Sequence, residues 1–142
     1  MIIDTSAILA ILYDEPGSER LANAIEQARN RRISAGSLVE LFVVVARQQN
    51  PLLRRRVDDF LRVLRAEIVP VTELQAYIAR EAYTAYGKGR GVRAQLNYGD
   101  CFAYALARER SEPLLFVGDD FTHTDIRPAI ESQPEPEAGR QG

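Results

Sequence analysis

MIID at residues 1–4 and LLFVGDD at residues 114–120 are short apolar stretches that both end in aspartate. Each predicts a buried β-strand, and residues 32–34 and 68–71 predict two more. Helical patterns separate these strands along the chain, an order that favours parallel pairing with helices on both faces of the sheet. The sequence therefore predicts an α/β domain with a central parallel sheet of four or five strands flanked by helices.

The helices are expected where capping residues precede apolar runs. Asp-Thr-Ser at residues 4–6 supplies three good capping types for the first helix. Ser37 is expected to begin a helix over residues 38–49, whose Leu, Val and Phe content predicts nearly complete burial. A last helix is expected to begin at Asn97 or Tyr98.

Length and composition fit one folded domain. The chain has 142 residues, 46% of them hydrophobic, and its net charge of −2 indicates neither a nucleic-acid coat protein nor a membrane-surface protein. A single cysteine excludes an internal disulfide framework, and one histidine with one cysteine cannot form a conventional zinc cage. The apolar start is too short to span a bilayer, and a cytoplasmic location is expected.

Composition also predicts where the domain ends. From residue 132 the chain is polar and rich in Pro and Gly, which is typical of a disordered tail. We therefore expect a folded domain over residues 1–131 and a tail over residues 132–142.

Acidic side chains follow the predicted strands or begin the helices after them. They are Asp4, Glu40, Asp100 and the pair Asp119–Asp120. In an open α/β sheet these positions lie along one edge, where ligands bind. Because neighbouring carboxylates repel one another unless a cation screens them, the pattern indicates a hard divalent metal.

Each acid also has a purely structural interpretation. Asp4 is a good helix cap, Ser37 and Glu40 have the spacing of a capping box, and Asp100 would interact favourably with a helix dipole. The pair at 119–120 fits an ordinary turn. Their shared location at one edge favours the functional interpretation.

A basic loop precedes the helix that contains Asp100. Lys88, Arg90 and Arg93 lie there among three glycines. They are either solvated loop charges or contacts to a phosphate held at the acidic edge, and the residues leave both interpretations open.

Five segments together resemble the VapC-type PIN-domain ribonuclease toxins. They are IIDTSA (2–7), SLVE (37–40), YGKGRG (86–91), LNYGDCFAYALA (96–107) and LLFVGDDFTHTDI (114–126). The resemblance covers roughly residues 1–126 and implies a PIN-like domain that cleaves RNA internally with Mg²⁺, for which Mn²⁺ is expected to substitute.

The resemblance also implies roles for particular residues. Asp4, Glu40 and Asp100 match the family's metal-binding and catalytic acids. Asp119 and Asp120 both fit the fourth position, and Asp120 is favoured because it directly precedes Phe121. Whether one or two metals bind is left open.

Contacts to RNA are predicted for other side chains. The hydroxyls of Thr5 and Ser6 are expected to hold a metal-bound water or a phosphate oxygen. Lys88 and Arg90 are the cations expected to bind the substrate.

The expected partners follow from the same resemblance. Such proteins are the toxin halves of type II toxin–antitoxin pairs, so a small antitoxin that blocks the acidic edge and a homodimer are expected. No membrane partner is expected.

Two other classes of protein place acids at strand ends. A Mg²⁺-binding receiver would normally have paired acids after the first strand and a lysine after a late strand, but Asp4 is followed by Thr5-Ser6 and no lysine follows Val117. A non-catalytic interaction module, with the acids serving only as caps, is the other alternative.

Overall fold

The computed structural model describes residues 1–89 and 91–131. Its elements are β1 (Ile2–Ile3), α1 (Thr5–Leu12), α2 (Ser18–Gln27), β2 (Arg32–Ser34), α3 (Ala35–Arg47), α4 (Pro51–Leu64), β3 (Glu67–Val69), α5 (Glu73–Tyr86), α6 (Asp100–Arg110) and β4 (Leu114–Leu115). The tail expected at residues 132–142 and the side chain of Arg90 lie outside the described residues. None of the described helices is both long and apolar enough to cross a bilayer.

The four strands form one parallel sheet in the order β3-β2-β1-β4. Ile2 of β1 pairs with Arg32 on one side and with Leu114 on the other. The predicted α/β architecture, a four-stranded parallel sheet flanked by helices, is therefore confirmed. Because β1 is central and fully buried, the residue that follows it lies in the middle of the sheet edge.

Successive residues of the central strands point to opposite faces of the sheet, and each face has its own core. Ile3 and Leu115 belong to the cluster that includes α1 and α4. Ile2 and Leu114 belong to the cluster that includes α6. Burial on both faces explains why these strands are continuous apolar runs rather than alternating ones.

Two strands are shorter or earlier than expected. β3 covers Glu67–Val69 instead of residues 68–71, and Pro70, which lacks an N–H donor, follows it directly. β4 ends at Leu115 instead of residue 117. Its neighbour β1 turns into α1 after Ile3, so the Val117 N–H donates to the Ser6 hydroxyl instead of to a strand.

The predicted capping box at the start of α3 is wrong. Ser34, the last residue of β2, is the N-cap, and its hydroxyl accepts a hydrogen bond from the Gly36 N–H. Ser37 already lies inside the helix, where its Oγ is buried without a hydrogen-bond partner. Glu40 is therefore not engaged in capping α3.

The prediction that α3 is almost completely buried is also wrong. Leu41 and Val45 face the core, whereas Val39, Phe42 and Val43 are exposed. Only one side of the helix can face the sheet and α6. Because apolar residues also occupy the opposite side, some of them are exposed. This exposed surface of Val39, Phe42 and Val43 is called the α3 patch below.

The two sides of α3 should respond differently to truncation. We expect Leu41→Ala to lower the free energy of unfolding by about 2–5 kcal/mol, because Leu41 is fully buried and its removal leaves a cavity. Val39→Ala, at a residue that is 61% exposed in the single chain, should change the free energy of unfolding of the monomer by less than about 0.5 kcal/mol. Urea unfolding of both variants measures the difference, and equal losses would contradict the assigned orientation of α3.

Candidate active site

Asp4 lies directly after β1 and is only 3% exposed. Its N–H donates to the Leu115 carbonyl at 2.9 Å, so the residue still belongs to the sheet edge. Its Oδ2 accepts hydrogen bonds from the Ser6 N–H at 3.0 Å and from the Ser6 hydroxyl at 2.6 Å, and this caps α1. Its other oxygen, Oδ1, is buried and has no hydrogen-bond partner among the described residues. Asp4 is thus a helix cap with one carboxylate oxygen unused.

The two hydroxyls that follow Asp4 connect neighbouring elements. Ser6 Oγ accepts a hydrogen bond from the Val117 N–H at 3.0 Å while it donates to Asp4, so it joins the end of β4 to the first acid. Thr5 Oγ1 donates to the Ser37 carbonyl at 2.9 Å, which joins α1 to α3. Both hydroxyls therefore have partners within the protein.

Asp100 is the first residue of α6 and is 7% exposed. The helix begins two or three residues later than expected, because residues 97–99 form a turn. Within that turn the Asn97 N–H donates to Asp100 Oδ2 at 3.0 Å, and the Asp100 N–H donates to Asn97 Oδ1 at 3.1 Å. Asp100 is therefore held at the start of the helix by a reciprocal pair of hydrogen bonds.

Glu40 reaches the same place from α3. A Cβ atom added to Gly99 would lie 1.5 Å from Glu40 Oε2, so the carboxylate rests directly against the Gly99 backbone. Any larger residue at position 99 would displace it. The absence of a side chain at Gly99 thus allows Glu40 to approach the residue next to Asp100.

The structure distinguishes the two aspartates after β4. Asp120 is half-buried and interacts with Asp100 through charge and a hydrogen bond. Asp119 is exposed and lines a different cavity, together with Pro16 and Gly17. This placement agrees with the preference for Asp120, whose neighbour Phe121 is buried.

The buried acids of this group have raised pKa values. Burial raises the pKa of Asp4 from 3.8 to about 6; the Ser6 hydrogen bonds oppose the rise and the Glu40 charge adds to it. Burial also raises the pKa of Asp100 to about 8; the Asn97 N–H opposes this rise, and the charges of Asp120 and Asp4 increase it. We call Asp4, Glu40, Asp100 and Asp120 the carboxylate cluster.

The carboxylate cluster suits a hard divalent cation in its chemistry. All of its donors are oxygens, Asp4 Oδ1 is buried and unpaired, and the acids repel one another. Within residues 1–89 and 91–131, no three His, Cys, Asp or Glu side chains already form a metal-binding group. Since no three of the described acids already form such a group, bringing them around one ion requires side-chain rotation.

The predicted basic loop shortly precedes Asp100 in the sequence. Lys88 and Arg93 are exposed, and Arg90 lies outside the described residues. Lys88 N–H donates to the Leu96 carbonyl at 2.7 Å, and Leu96 N–H donates to the Tyr86 carbonyl at 3.0 Å. These bonds close the base of the loop four residues before Asp100.

Asn97 and Gly99 were not predicted as part of the site. The spacing Asn-x-x-Asp at 97–100 was a usable signal, since it matches a reciprocal capping pattern. Gly99 carried no such signal, because its importance arises from Glu40, which is distant in sequence and belongs to another helix.

Comparison with known proteins agrees with this architecture. A sequence model of the PIN domain family matches residues 1–127. The VapC ribonuclease Mb0625 of Mycobacterium bovis is 46% identical over 131 residues, which cover 92% of this chain and 98% of that protein. Ribonuclease VapC42 of Mycobacterium tuberculosis is 49% identical over 129 residues, covering 91% and 98%. The chain therefore belongs to the VapC-type PIN-domain family.

Solved structures with low sequence identity share the fold. The Mycobacterium tuberculosis VapC20 structure, described as a Sarcin-Ricin loop cleaving toxin, superposes with a TM-score of 0.68 at 15% identity and covers 89% of this chain and 98% of its own. The structure of VapBC2 from Rickettsia felis, bound to a DNA fragment of the VapBC2 promoter, superposes with a TM-score of 0.69 at 18% identity. The match covers 89% of this chain and 94% of that one. At these identities the likeness concerns the fold.

Removing one charge from the carboxylate cluster should stabilise the metal-free protein. The pKa of Asp100 is raised from 3.8 to about 8 on folding, so the folded state retains a proton that the unfolded chain releases. The contribution of Asp100 to the free energy of unfolding is therefore fully present below pH 3.8 and is lost as the pH rises to about 8. We expect Asp100→Asn to remove this loss, while Asn can still accept the Asn97 N–H.

Thermal unfolding in a chelator tests this expectation. The Asp100→Asn variant should melt higher than the unmodified protein at about pH 8, and the difference should shrink toward about pH 4. A variant that is less stable than the unmodified protein at about pH 8 would contradict the destabilisation that the raised pKa of Asp100 implies.

Proposed function

We propose that this protein is the toxin of a type II toxin–antitoxin pair and acts as a Mg²⁺-dependent endoribonuclease, cleaving RNA phosphodiester bonds with a metal-activated water. One observation carries the proposal. The carboxylate cluster gathers four acids from four different elements at the carboxyl edge of a parallel sheet. It does so in a chain that is 46–49% identical to VapC ribonucleases over more than nine-tenths of its length.

The cluster explains how the chain would hold the metal. Among the described residues Asp4 offers a buried oxygen with no hydrogen-bond partner, and burial together with its acidic neighbours raises the pKa of Asp100. A cation between Asp4 and Asp100 would give the Asp4 oxygen a partner and would reduce the repulsion on an ionised Asp100. Glu40 and Asp120 would complete the oxygen ligands, and Mn²⁺ is expected to substitute for Mg²⁺ because both accept such a donor set.

The reaction itself is a hydrolysis. When bound, the metal supplies a water of lowered pKa and neutralises charge on the phosphate. The protein's acids orient the metal, and the water oxygen bonds to phosphorus as the P–O bond on the opposite side breaks. The attacking water gives up a proton and the leaving oxygen takes one up. Because water and not a side chain attacks, no covalent bond to the protein would form.

Thr5 and Ser6 are proposed to act beside the ligands. Each hydroxyl already has a partner, the Ser37 carbonyl for Thr5 and the Asp4 carboxylate for Ser6. A contact to a phosphate or a metal-bound water would therefore have to be added through a hydroxyl lone pair or replace one of these bonds. Ser6 is the better placed of the two, because it directly contacts a proposed ligand.

Conservative changes in the acids test the proposal. We expect Asp100→Asn and Glu40→Gln to reduce RNA cleavage by about 100-fold or more, because each removes a charged oxygen while nearly preserving shape. Asp59→Asn is the matched control, since Asp59 is an exposed residue on α4 that forms an ion pair with Arg62.

The readouts are the cleavage rate with Mg²⁺, the circular dichroism spectrum and Mn²⁺ binding. Full cleavage by a folded Asp100→Asn variant would overturn the metal-ligand assignment. A wild-type protein without saturable Mn²⁺ binding would instead favour the non-catalytic interaction module.

The basic loop is proposed to bind the RNA backbone. Backbone hydrogen bonds from Lys88 and Leu96 close the base of the loop shortly before the helix that begins with Asp100, and Lys88 is exposed. We expect the double variant Lys88→Ala, Arg90→Ala to weaken RNA binding and to reduce the slope of log affinity against log salt by about 0.7 per lost phosphate contact. Metal binding should not change, because no ligand is removed.

Binding at two salt concentrations measures this slope. Arg55→Ala, Arg56→Ala on α4 is the control, because it removes two exposed positive charges away from the cluster. If both double variants bind RNA equally well and with the same slope, the loop is only a solvated surface.

The partners are proposed to be a cognate antitoxin and a second copy of this chain. A cationic side chain of the antitoxin would pair with the cluster in place of the metal. The α3 patch exposes Val39, Phe42 and Val43 together, and an apolar surface of this kind is typical of a protein interface. We therefore assign it to the homodimer.

Light scattering and co-purification test these partners. The unmodified chain should have twice the mass of one chain, and Phe42→Asp should reduce it to a monomer. Leu52→Asp, at an even more exposed apolar residue on α4, should leave the dimer intact. Co-expression with the product of the adjacent gene should yield a complex without RNA cleavage. A monomeric chain that binds no adjacent gene product would contradict both assignments.

A further inference from the structure

The turn before α6 forms an unusual connection to the carboxylate cluster. Asn97 and Asp100 exchange two hydrogen bonds, from the Asn97 N–H to Asp100 Oδ2 at 3.0 Å and from the Asp100 N–H to Asn97 Oδ1 at 3.1 Å. The pattern corresponds to a capping box, in which a side chain and a backbone N–H are exchanged across three residues. Here the acidic member of the box is also a member of the cluster.

The exchange restrains one oxygen of the acid. Asp100 Oδ2 is held by the Asn97 N–H, and the carboxyl group also meets Asp120 and the charge of Asp4. When Asp100 is ionised, as a metal ligand would be, these two acids repel it, so an unrestrained side chain would gain by rotating away from them. The Asn97 bond opposes that rotation, because turning the carboxylate away breaks a hydrogen bond to a backbone donor.

We propose that Asn97 is a positioning residue for Asp100, which it holds in the orientation required for metal binding. This inference rests on the proposed function, because Asp100 is a metal ligand only within that proposal. Asn97 acts through Asp100 and need not touch the metal or the RNA. Groups that orient a metal ligand commonly change metal affinity by about 10- to 100-fold when they are removed.

The chemistry of the asparagine side chain suits this role. Its Oδ1 accepts the Asp100 N–H as a carboxylate would, but without adding another negative charge to a cluster that already repels itself. Alanine at position 97 would retain the backbone N–H and lose the return bond, so the turn would no longer fix the distance between the two residues. Serine would keep an uncharged acceptor.

Asn50 provides a matched control elsewhere in the chain. It caps α4, where its Oδ1 accepts hydrogen bonds from the Leu52 N–H at 3.1 Å and from the Leu53 N–H at 3.2 Å. Asn50→Ala therefore also removes a capping asparagine, but at a helix that contributes no acid to the cluster. Any loss caused by weaker capping alone should be shared by both variants.

The experiment measures Mn²⁺ binding to the full chain by electron paramagnetic resonance, together with the melting temperature in a chelator. We expect Asn97→Ala to bind Mn²⁺ about 10- to 100-fold more weakly than the unmodified protein. Asn50→Ala should melt lower and bind Mn²⁺ as the unmodified protein does. Asn97→Ser should recover most of the affinity. If Asn97→Ala does not fold, Asn97→Gly is measured in its place, because glycine also lacks the acceptor and is better tolerated at a helix start.

The outcomes separate this inference from the proposed function. Saturable Mn²⁺ binding to the unmodified protein with equal binding to Asn97→Ala would overturn the positioning role and leave the proposed function intact. Equal weakening in Asn97→Ala and Asn50→Ala would overturn it as well, because general loss of stability would then be the cause. Absence of Mn²⁺ binding to the unmodified protein would overturn both.

Discussion

The burial of Asp4 and Asp100 near other acids is the constraint on which the rest of the site depends. A carboxylate that leaves water loses hydration, and a second carboxylate nearby adds repulsion, so the pKa rises to about 6 for Asp4 and about 8 for Asp100. The chain partly offsets this cost with hydrogen bonds from Ser6 and Asn97. What remains is an arrangement that gains from a cation, which is the property expected of a metal site rather than of a structural cap.

The packing of α3 against α6 brings two of these acids together. Gly36 lets the Phe102 ring approach the α3 backbone, since an added Cβ would lie 2.2 Å from that ring. Gly99 lets the Glu40 carboxylate approach the start of α6 in the same way. Each helix thus contributes a glycine at the point where the other helix places a side chain. At Gly36 the close contact packs the two helices together. At Gly99 it places Glu40 beside Asp100, which matters for the proposed function.

Several residues at the site serve stability and the proposed chemistry at once. Asp4 caps α1 with one oxygen and leaves the other buried without a partner. Ser6 joins that acid to the N–H of Val117, at the end of β4. The structural and functional interpretations of such residues are therefore compatible. A capping role assigned from sequence is not a reason to exclude a residue from a site, and Asp4 shows this most clearly.

The sequence by itself determined the parallel α/β architecture and the set of acids, because strand periodicity, helix caps and strand-end positions are local properties of the chain. It failed where the answer depended on distant contacts. The exposed side of α3 follows from which face meets α6, and the capping box at Ser37 was wrong because the chain already turns at Ser34. The placement of Asp120, rather than Asp119, near Asp100 and the fit of Glu40 against Gly99 came only from tertiary structure, since both depend on where separate elements come to lie against one another.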